Sequence, residues 1–235
     1  MKNKNEKELT VKYIESYLNF ANIKKRHCFI SPINKGIESK NYLISVNDKN
    51  NFRYILKVYP KSNVEEIKYE TEILNKLNFG VRKKYFPIIS KRIFFINEKP
   101  CILLKYIHGS ILSKDDISSC LVKEIAQKQA TMHRIFINYK PKHKKNRFSI
   151  FDFSFADFYL DNNKNLYYNF LYDEIIALKK ESKLFAKVKF KKSIIHEDLN
   201  IENIIITKNG AINFIDFGES HKAEIISDIA IAIKE

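Results

Sequence analysis

Residues 196–203 read His-Glu-Asp-Leu-Asn-Ile-Glu-Asn, and thirteen residues past Asn203 comes Asp216-Phe217-Gly218. No other feature constrains this 235-residue chain as strongly. The spacing sets three acidic or amide side chains where phosphoryl transfer needs them. Asp198 is placed to orient an attacking hydroxyl and accept its proton, while Asn203 and Asp216 are placed to hold magnesium ions that bridge nucleotide phosphates. The flanking residues agree. Ser193-Ile194-Ile195 is a short apolar strand leading into the motif, and Ile204–Ile206 and Ile212–Ile215 are two β-rich runs joined through Asn209-Gly210, a hairpin turn signature. A lone His-x-Asp is a weak signal. The loop, the hairpin and the aspartate in register are specific.

Bulk properties remove several alternatives. Hydrophobic residues make up 45% of the chain, ordinary for a globular protein, and the length suffices for one domain or a two-lobed one. No apolar run approaches the roughly 20 residues of a membrane helix, and Met1 to Glu8 has no apolar signal core, so a cytoplasmic protein is expected. Cys28, Cys101 and Cys120 are odd in number and lack Cys-x-x-Cys spacing; they read as reduced, buried thiols. The net charge of +15, with Lys140, Lys142, His143, Lys144, Lys145 and Arg147 clustered, invites a nucleic-acid reading. Lysine, asparagine and isoleucine are abundant throughout, however. Solvated lysines are the simpler reading, and no nucleic-acid partner is expected.

Periodicity orders the rest. Residues 8–22 carry Val11, Ile14 and Leu18 at helical spacing. Cys28–Ile30, Tyr42–Val46 and Phe52–Tyr59 read as three strands of one antiparallel sheet, the last two split by Asn47-Asp48-Lys49-Asn50. Asn63–Leu77 reads as a helix with Ile67, Ile73, Leu74 and Leu77 on its apolar side. Strands follow at Arg92–Ile96 and Ile102–Tyr106, separated by Glu98-Lys99-Pro100. Helical patterns near 115–137 and 165–188 precede the hairpin, and an apolar helix begins near Ala223. An α+β protein of two lobes is expected, an antiparallel β-sheet lobe over 1–107 and a mainly helical lobe over 108–235, with a cleft between them.

The first lobe carries the candidate nucleotide residues. Lys57 stands on a strand between apolar neighbours, where burying an amine is costly without anionic partners. Triphosphate oxygens and a helix carboxylate would supply them; Glu70 is the first choice of carboxylate and Glu72 the competitor. Gly36 opens the turn 36–41, where a phosphate-covering loop belongs, with backbone amides, Ser39 and Asn41 as its polar groups. There is no Gly-x-Gly-x-x-Gly. After Leu103–His108 the chain leaves this lobe, and adenine is expected to meet the Lys105 carbonyl and the Ile107 amide. His196 is expected to structure its loop, and the other histidines show no metal-ligand spacing.

With these residues in hand, the chain resembles the aminoglycoside phosphotransferase and choline kinase superfamily, small-molecule kinases with a protein-kinase-like fold. The resemblance runs from about residue 24 onward. It is carried by the loop Gly36–Tyr42, the hinge Leu104-Lys105-Tyr106-Ile107-His108-Gly109, the His196–Asn203 and Asp216 motifs, and Asp228-Ile229-Ala230, which is similar to an Asp-Leu-Ala motif of such kinases. It implies ATP and Mg2+ as cofactors and transfer of the γ-phosphoryl group to a hydroxyl of a small acceptor, an amino alcohol, hydroxy amino acid or aminoglycoside. It implies Asp198 as catalytic base, Asn203 and Asp216 as metal ligands, and Asp228 as a carboxylate supporting the catalytic loop. Two departures stand out. Glu197 replaces a glycine usual in the family, and the sequence stops 19 residues after Asp216, where relatives continue with helices that wall the acceptor site. Either this is a compact member or its acceptor pocket is incomplete.

A protein Ser/Thr kinase fits the same spacings but needs an Ala-Pro-Glu segment after Gly218, which is absent, and Asn200 stands where such kinases carry lysine. A non-catalytic, nucleotide-binding pseudokinase is the other alternative.

Overall fold

The computed structural model describes residues 28–33, 39–46, 52–60, 63–80, 93–145, 147, 153–162, 167–185 and 188–234. The expectations for the 8–22 helix, for the Gly36 end of the phosphate loop and for the Asn47–Asn50 turn lie outside these residues.

In chain order the strands of the first half are β1 (Cys28–Ile33), β2 (Lys40–Val46), β3 (Arg53–Val58), β4 (Phe94–Ile96), β5 (Lys99–Lys105) and β6 (Gly109–Ile111). Those of the second half are β7 (Lys192–Ile195), β8 (Ile204–Thr207), β9 (Ile212–Phe214) and β10 (His221–Glu224). The helices are α1 (Val64–Gly80), α2 (Ser119–Phe136), α3 (Ser154–Asn162), α4 (Tyr168–Phe185) and α5 (Ile225–Lys234). The described residues form two compact units. One holds those up to Lys128 with Pro141–Lys145 and Ile201–Gly218; the other holds Gln129–Lys140 and those within Asn146–Asn200 and Glu219–Glu235.

In the first unit, β1 to β5 form an antiparallel sheet in the order β1-β2-β3-β5-β4. Side chains alternate across a strand, so Tyr54, Leu56 and Val58 of β3 share one face and join Ile44, Val46, Ile96, Cys101 and Leu103 in an apolar core. Lys57 therefore belongs to the opposite face. Asn63 precedes helix α1 and its side chain accepts the Glu65 amide at 3.0 Å; the helix buries Ile67, Ile73, Leu74 and Leu77. Each of these apolar side chains contributes roughly 1.5–3 kcal/mol on burial, which holds the helix against the sheet. A second sheet, β6-β8-β9, is closed by a tight turn in which the Gly210 amide donates to the Thr207 carbonyl at 2.8 Å. Gly210 has φ 79°, a backbone region that glycine enters without penalty.

In the second unit β7 pairs with β10, setting Ile195 opposite His221, and α5 follows directly. Three expectations need correction. Ala223 lies in β10, and the final helix starts at Ile225. The turn before β5 is Asn97-Glu98, with φ 49° and 63°, rather than Glu98-Lys99-Pro100; two left-handed residues give the hairpin a twist that matches its strands. Cys101 is buried, its thiol pushed up to about 12 by burial, but Cys120 is exposed on α2. No helix among the described residues is long and apolar enough to cross a membrane.

Candidate active site

Lys57 is on the middle strand of its sheet, opposite Asn41 of β2 and Ile102 of β5, and is 6% exposed. Its Nζ lies 3.0 Å from Glu70 Oε1 and 2.7 Å from Asp216 Oδ1. Burial alone would lower the pKa of this amine. The charges and hydrogen bonds of Glu70 and Asp216 outweigh it and hold the ammonium above its ordinary range. Glu70 is 3% exposed, and its second oxygen accepts a 2.7 Å bond from the Tyr59 hydroxyl. The Tyr59 ring lies 5.2 Å from Lys57 Nζ, and its own pKa is pushed well up, first by burial and then by the Glu70 charge. This buried carboxylate thus has a donor on each oxygen. Glu72 faces elsewhere, accepting the backbone amides of Lys142 and His143.

Asp216 differs from Glu70 in being open: its side chain is 44% exposed. It follows β9 with φ 60°, a left-handed conformation that aspartate tolerates better than most residues. The preceding residue is tied to the other amide-bearing candidate, because the Ile215 amide donates to the Asn203 carbonyl at 2.9 Å. Asn203 ends a short 3-10 turn, Ile201–Asn203, leading into β8. Ser39 donates to Asn41 at 3.3 Å, and Asn41 stands opposite Lys57 in the β2–β3 register. Lys105 ends β5 and Ile107 lies in the crossing to β6.

Asp198 belongs to the second unit, in the loop after β7. Its amide donates to His196 Nδ1 at 3.3 Å, and its Oδ1 accepts the Asn200 side-chain amide at 3.0 Å. The loop is anchored by α5. Asp228 Oδ1 accepts the His196 and Glu197 amides at 3.1 and 2.9 Å, and Oδ2 lies 2.7 Å from His133 Nε2. Burial would raise the Asp228 pKa, but these hydrogen bonds overcome it and hold the carboxyl below its usual range. Glu197 has φ 66°, the conformation for which a glycine is suited; a residue with a Cβ is strained there by about 1 kcal/mol. Its carboxyl, pushed up by burial, accepts a 3.3 Å bond from Ser227.

Sequence reasoning missed Tyr59, His133 and Lys128. Tyr59 read only as a strand end. His133 shows no metal-ligand spacing in the sequence, yet it reaches a carboxylate 95 residues away. Lys128 of α2 donates to the Ile212 carbonyl and lies 5.5 Å from the Phe214 ring centroid. Burial pushes this amine down to about 8. Only its helical spacing pointed inward.

An antiparallel sheet with a buried lysine–glutamate pair, followed by a loop–hairpin carrying two acidic motifs, defines a protein-kinase-like α+β fold. Solved structures share it. The amicoumacin kinase hAmiN, in complex with AMP-PNP, Ca2+ and Ami, matches 97% of this chain and 70% of its own at 18% identity and TM-score 0.65. The choline kinase LicA from Streptococcus pneumoniae matches 96% and 74% at 20% identity and TM-score 0.63. Spectinomycin phosphotransferase APH(9)-Ia matches 94% and 72% at 15% identity and TM-score 0.63. No curated protein matches. The model of the phosphotransferase enzyme family covers residues 30–235, and the chain belongs to that family. It is a small-molecule phosphotransferase with an alcohol group as acceptor.

Proposed function

We propose that the chain is an ATP-dependent kinase that transfers the γ-phosphoryl group to a hydroxyl of a small molecule in the amino alcohol, hydroxy amino acid or aminoglycoside class. The observation that carries this reading is the Lys57 ammonium, buried between Glu70 and the open Asp216 carboxylate. Glu70 fixes where the ammonium stands, and triphosphate oxygens approaching from the Asp216 side meet a fully charged donor. Ser39 and Asn41 extend the polar group along β2, and the Lys105 carbonyl and Ile107 amide are assigned to the adenine.

The donor set fits Mg2+. Asn203 and Asp216 would hold the ion through an amide oxygen and a carboxylate, hard ligands on backbone segments tied together at Ile215. Bound there, it would neutralise charge developing on the phosphates. Asp198 is assigned as the general base. As the acceptor oxygen bonds to the γ-phosphorus and the bond to the ADP oxygen breaks, the hydroxyl proton passes to the Asp198 carboxylate. The Asn200 amide steadies that carboxylate, and Asp228 with His133 fixes the loop backbone. The reading sets the enzyme in the cytoplasm, where ATP is available, with a lobe boundary near residue 107.

Calorimetry with AMP-PNP, with and without magnesium, tests the nucleotide half of this reading. Tight binding that requires magnesium and is lost in Asp216→Ala supports it; equal binding by both proteins contradicts it. The acceptor class is read from ADP release across amino alcohols, hydroxy amino acids and aminoglycosides.

A further inference from the structure

The basic stretch 140–147 contributes Pro141–Lys145 to the first unit, and its role there is set by backbone geometry as much as by charge. The Lys142 amide donates to both oxygens of Glu72 at 2.9 and 3.0 Å, and the His143 amide to Oε2 at 3.1 Å. His143 Nδ1 lies 2.9 Å from Glu65 Oε2, two turns earlier on α1. At the other end of the same five residues, Lys145 Nζ donates to the Gly218 carbonyl.

The two gripped positions have a common relation to Lys57. Glu72 is two residues past Glu70, and Gly218 is two residues past Asp216. Two residues of α-helix rotate by about 200°, so α1 is held on one side by Lys57 and on the other by residues 142–143. Gly218 itself packs over the cluster. A Cβ there would lie 3.3 Å from Asp216 Oδ1 and 3.4 Å from Lys57 Nζ.

We propose that residues 141–145 are a strap that keeps Glu70 and Asp216 in register while Lys57 is drawn onto nucleotide phosphate, with Glu72 and Lys145 as its positioning residues. The inference rests on the reading of the Lys57 cluster as the nucleotide site. The Lys57 ammonium ties both carboxylates directly. Phosphate oxygens competing for the same donors weaken that tie when its geometry matters most. The strap uses neither the Glu70 nor the Asp216 side chain, so it persists. Its strong elements are the charge-assisted amide bonds to Glu72; the exposed His143–Glu65 pair adds little.

Glu72→Ala and Lys145→Met test this against Glu72→Gln, Lys145→Arg and Lys57→Met. Two quantities are measured: AMP-PNP–Mg2+ affinity by calorimetry, and amide hydrogen exchange over residues 64–80 with and without nucleotide. The first two variants are expected to bind about tenfold more weakly, near 1.4 kcal/mol. Exchange in α1 should rise more in the bound protein than in the free one, and the conservative variants should recover most of the affinity. Wild-type affinity in both strap variants, with Lys57→Met unable to bind, would overturn the strap and leave the nucleotide reading standing. So would an exchange increase equal in free and bound protein, which marks a merely structural contact. Wild-type binding by Lys57→Met would remove the strap and the reading together.

Discussion

The Lys57 ammonium stands 2.7 Å from the carboxylate of Asp216, a residue 159 positions further along the chain. This contact joins the central strand of one sheet to the residue beyond the last strand of another, and it makes the Lys57 pair with Glu70 a three-membered group. Removing the amine leaves Glu70 buried with a single donor, Tyr59. Breaking a buried pair from one side costs roughly 3–5 kcal/mol. Lys57→Met is therefore expected to lower unfolding stability by about 3 kcal/mol, and adding Glu70→Gln should recover part of the loss. Urea unfolding of the two single variants and the double variant checks this. Additive losses would contradict a coupled pair.

Asp228→Asn is expected to affect the Asp198 loop and spare the nucleotide. The asparagine loses the charge that faces His133 and binds the His196 and Glu197 amides more weakly. Turnover should fall about a hundredfold while AMP-PNP affinity stays within about threefold, as for a residue that orients a catalytic group without contacting nucleotide. Parallel loss of affinity would show that Asp228 supports more than its loop.

How much of this was legible beforehand follows from the range of each interaction. The α1 helix and the β8–β9 hairpin rest on local patterns, a helical stripe and a turn glycine, and both were read correctly. The Lys57–Glu70 pairing was legible as a choice between two carboxylates, and helix geometry decides it. Strand β10 was not. Its residues, His221-Lys222-Ala223-Glu224, have little strand character, and pairing with β7 determines them. The same holds for His133 with Asp228 and for the strap at Glu72. Each joins residues 70 or more positions apart, a distance at which a single sequence carries no pairing signal.

Lys128 gives the pH dependence a definite sign. Its pKa falls from 10.5 in the unfolded chain to about 8 in the folded one, because burial disfavours the cation. Between these values the unfolded state binds more protons, so stability rises with pH across about 8 to 10.5. Below pH 8 the penalty of a buried charge is fully present. Thermal midpoints measured across this range should rise in the wild type relative to Lys128→Met. Parallel curves would contradict the assignment.

Gly218→Ala is a milder perturbation of the same cluster. The added methyl meets Asp216 Oδ1 at 3.3 Å, so that carboxylate must give by a few tenths of an ångström, and it reaches van der Waals contact with Lys57 Nζ at 3.4 Å. Stability should change by less than about 1 kcal/mol, whereas AMP-PNP–Mg2+ affinity should fall several-fold. Calorimetry beside thermal melting separates the two effects.

In the proposed phosphoryl transfer, Asp198 takes the acceptor proton. The most direct test is the initial rate of acceptor-dependent ADP release from ATP and magnesium by wild type and Asp198→Ala, with AMP-PNP affinity measured on both. Turnover is expected to fall by about 10²–10⁴-fold in the variant with nucleotide affinity nearly unchanged. Turnover retained by Asp198→Ala would contradict Asp198 as the base.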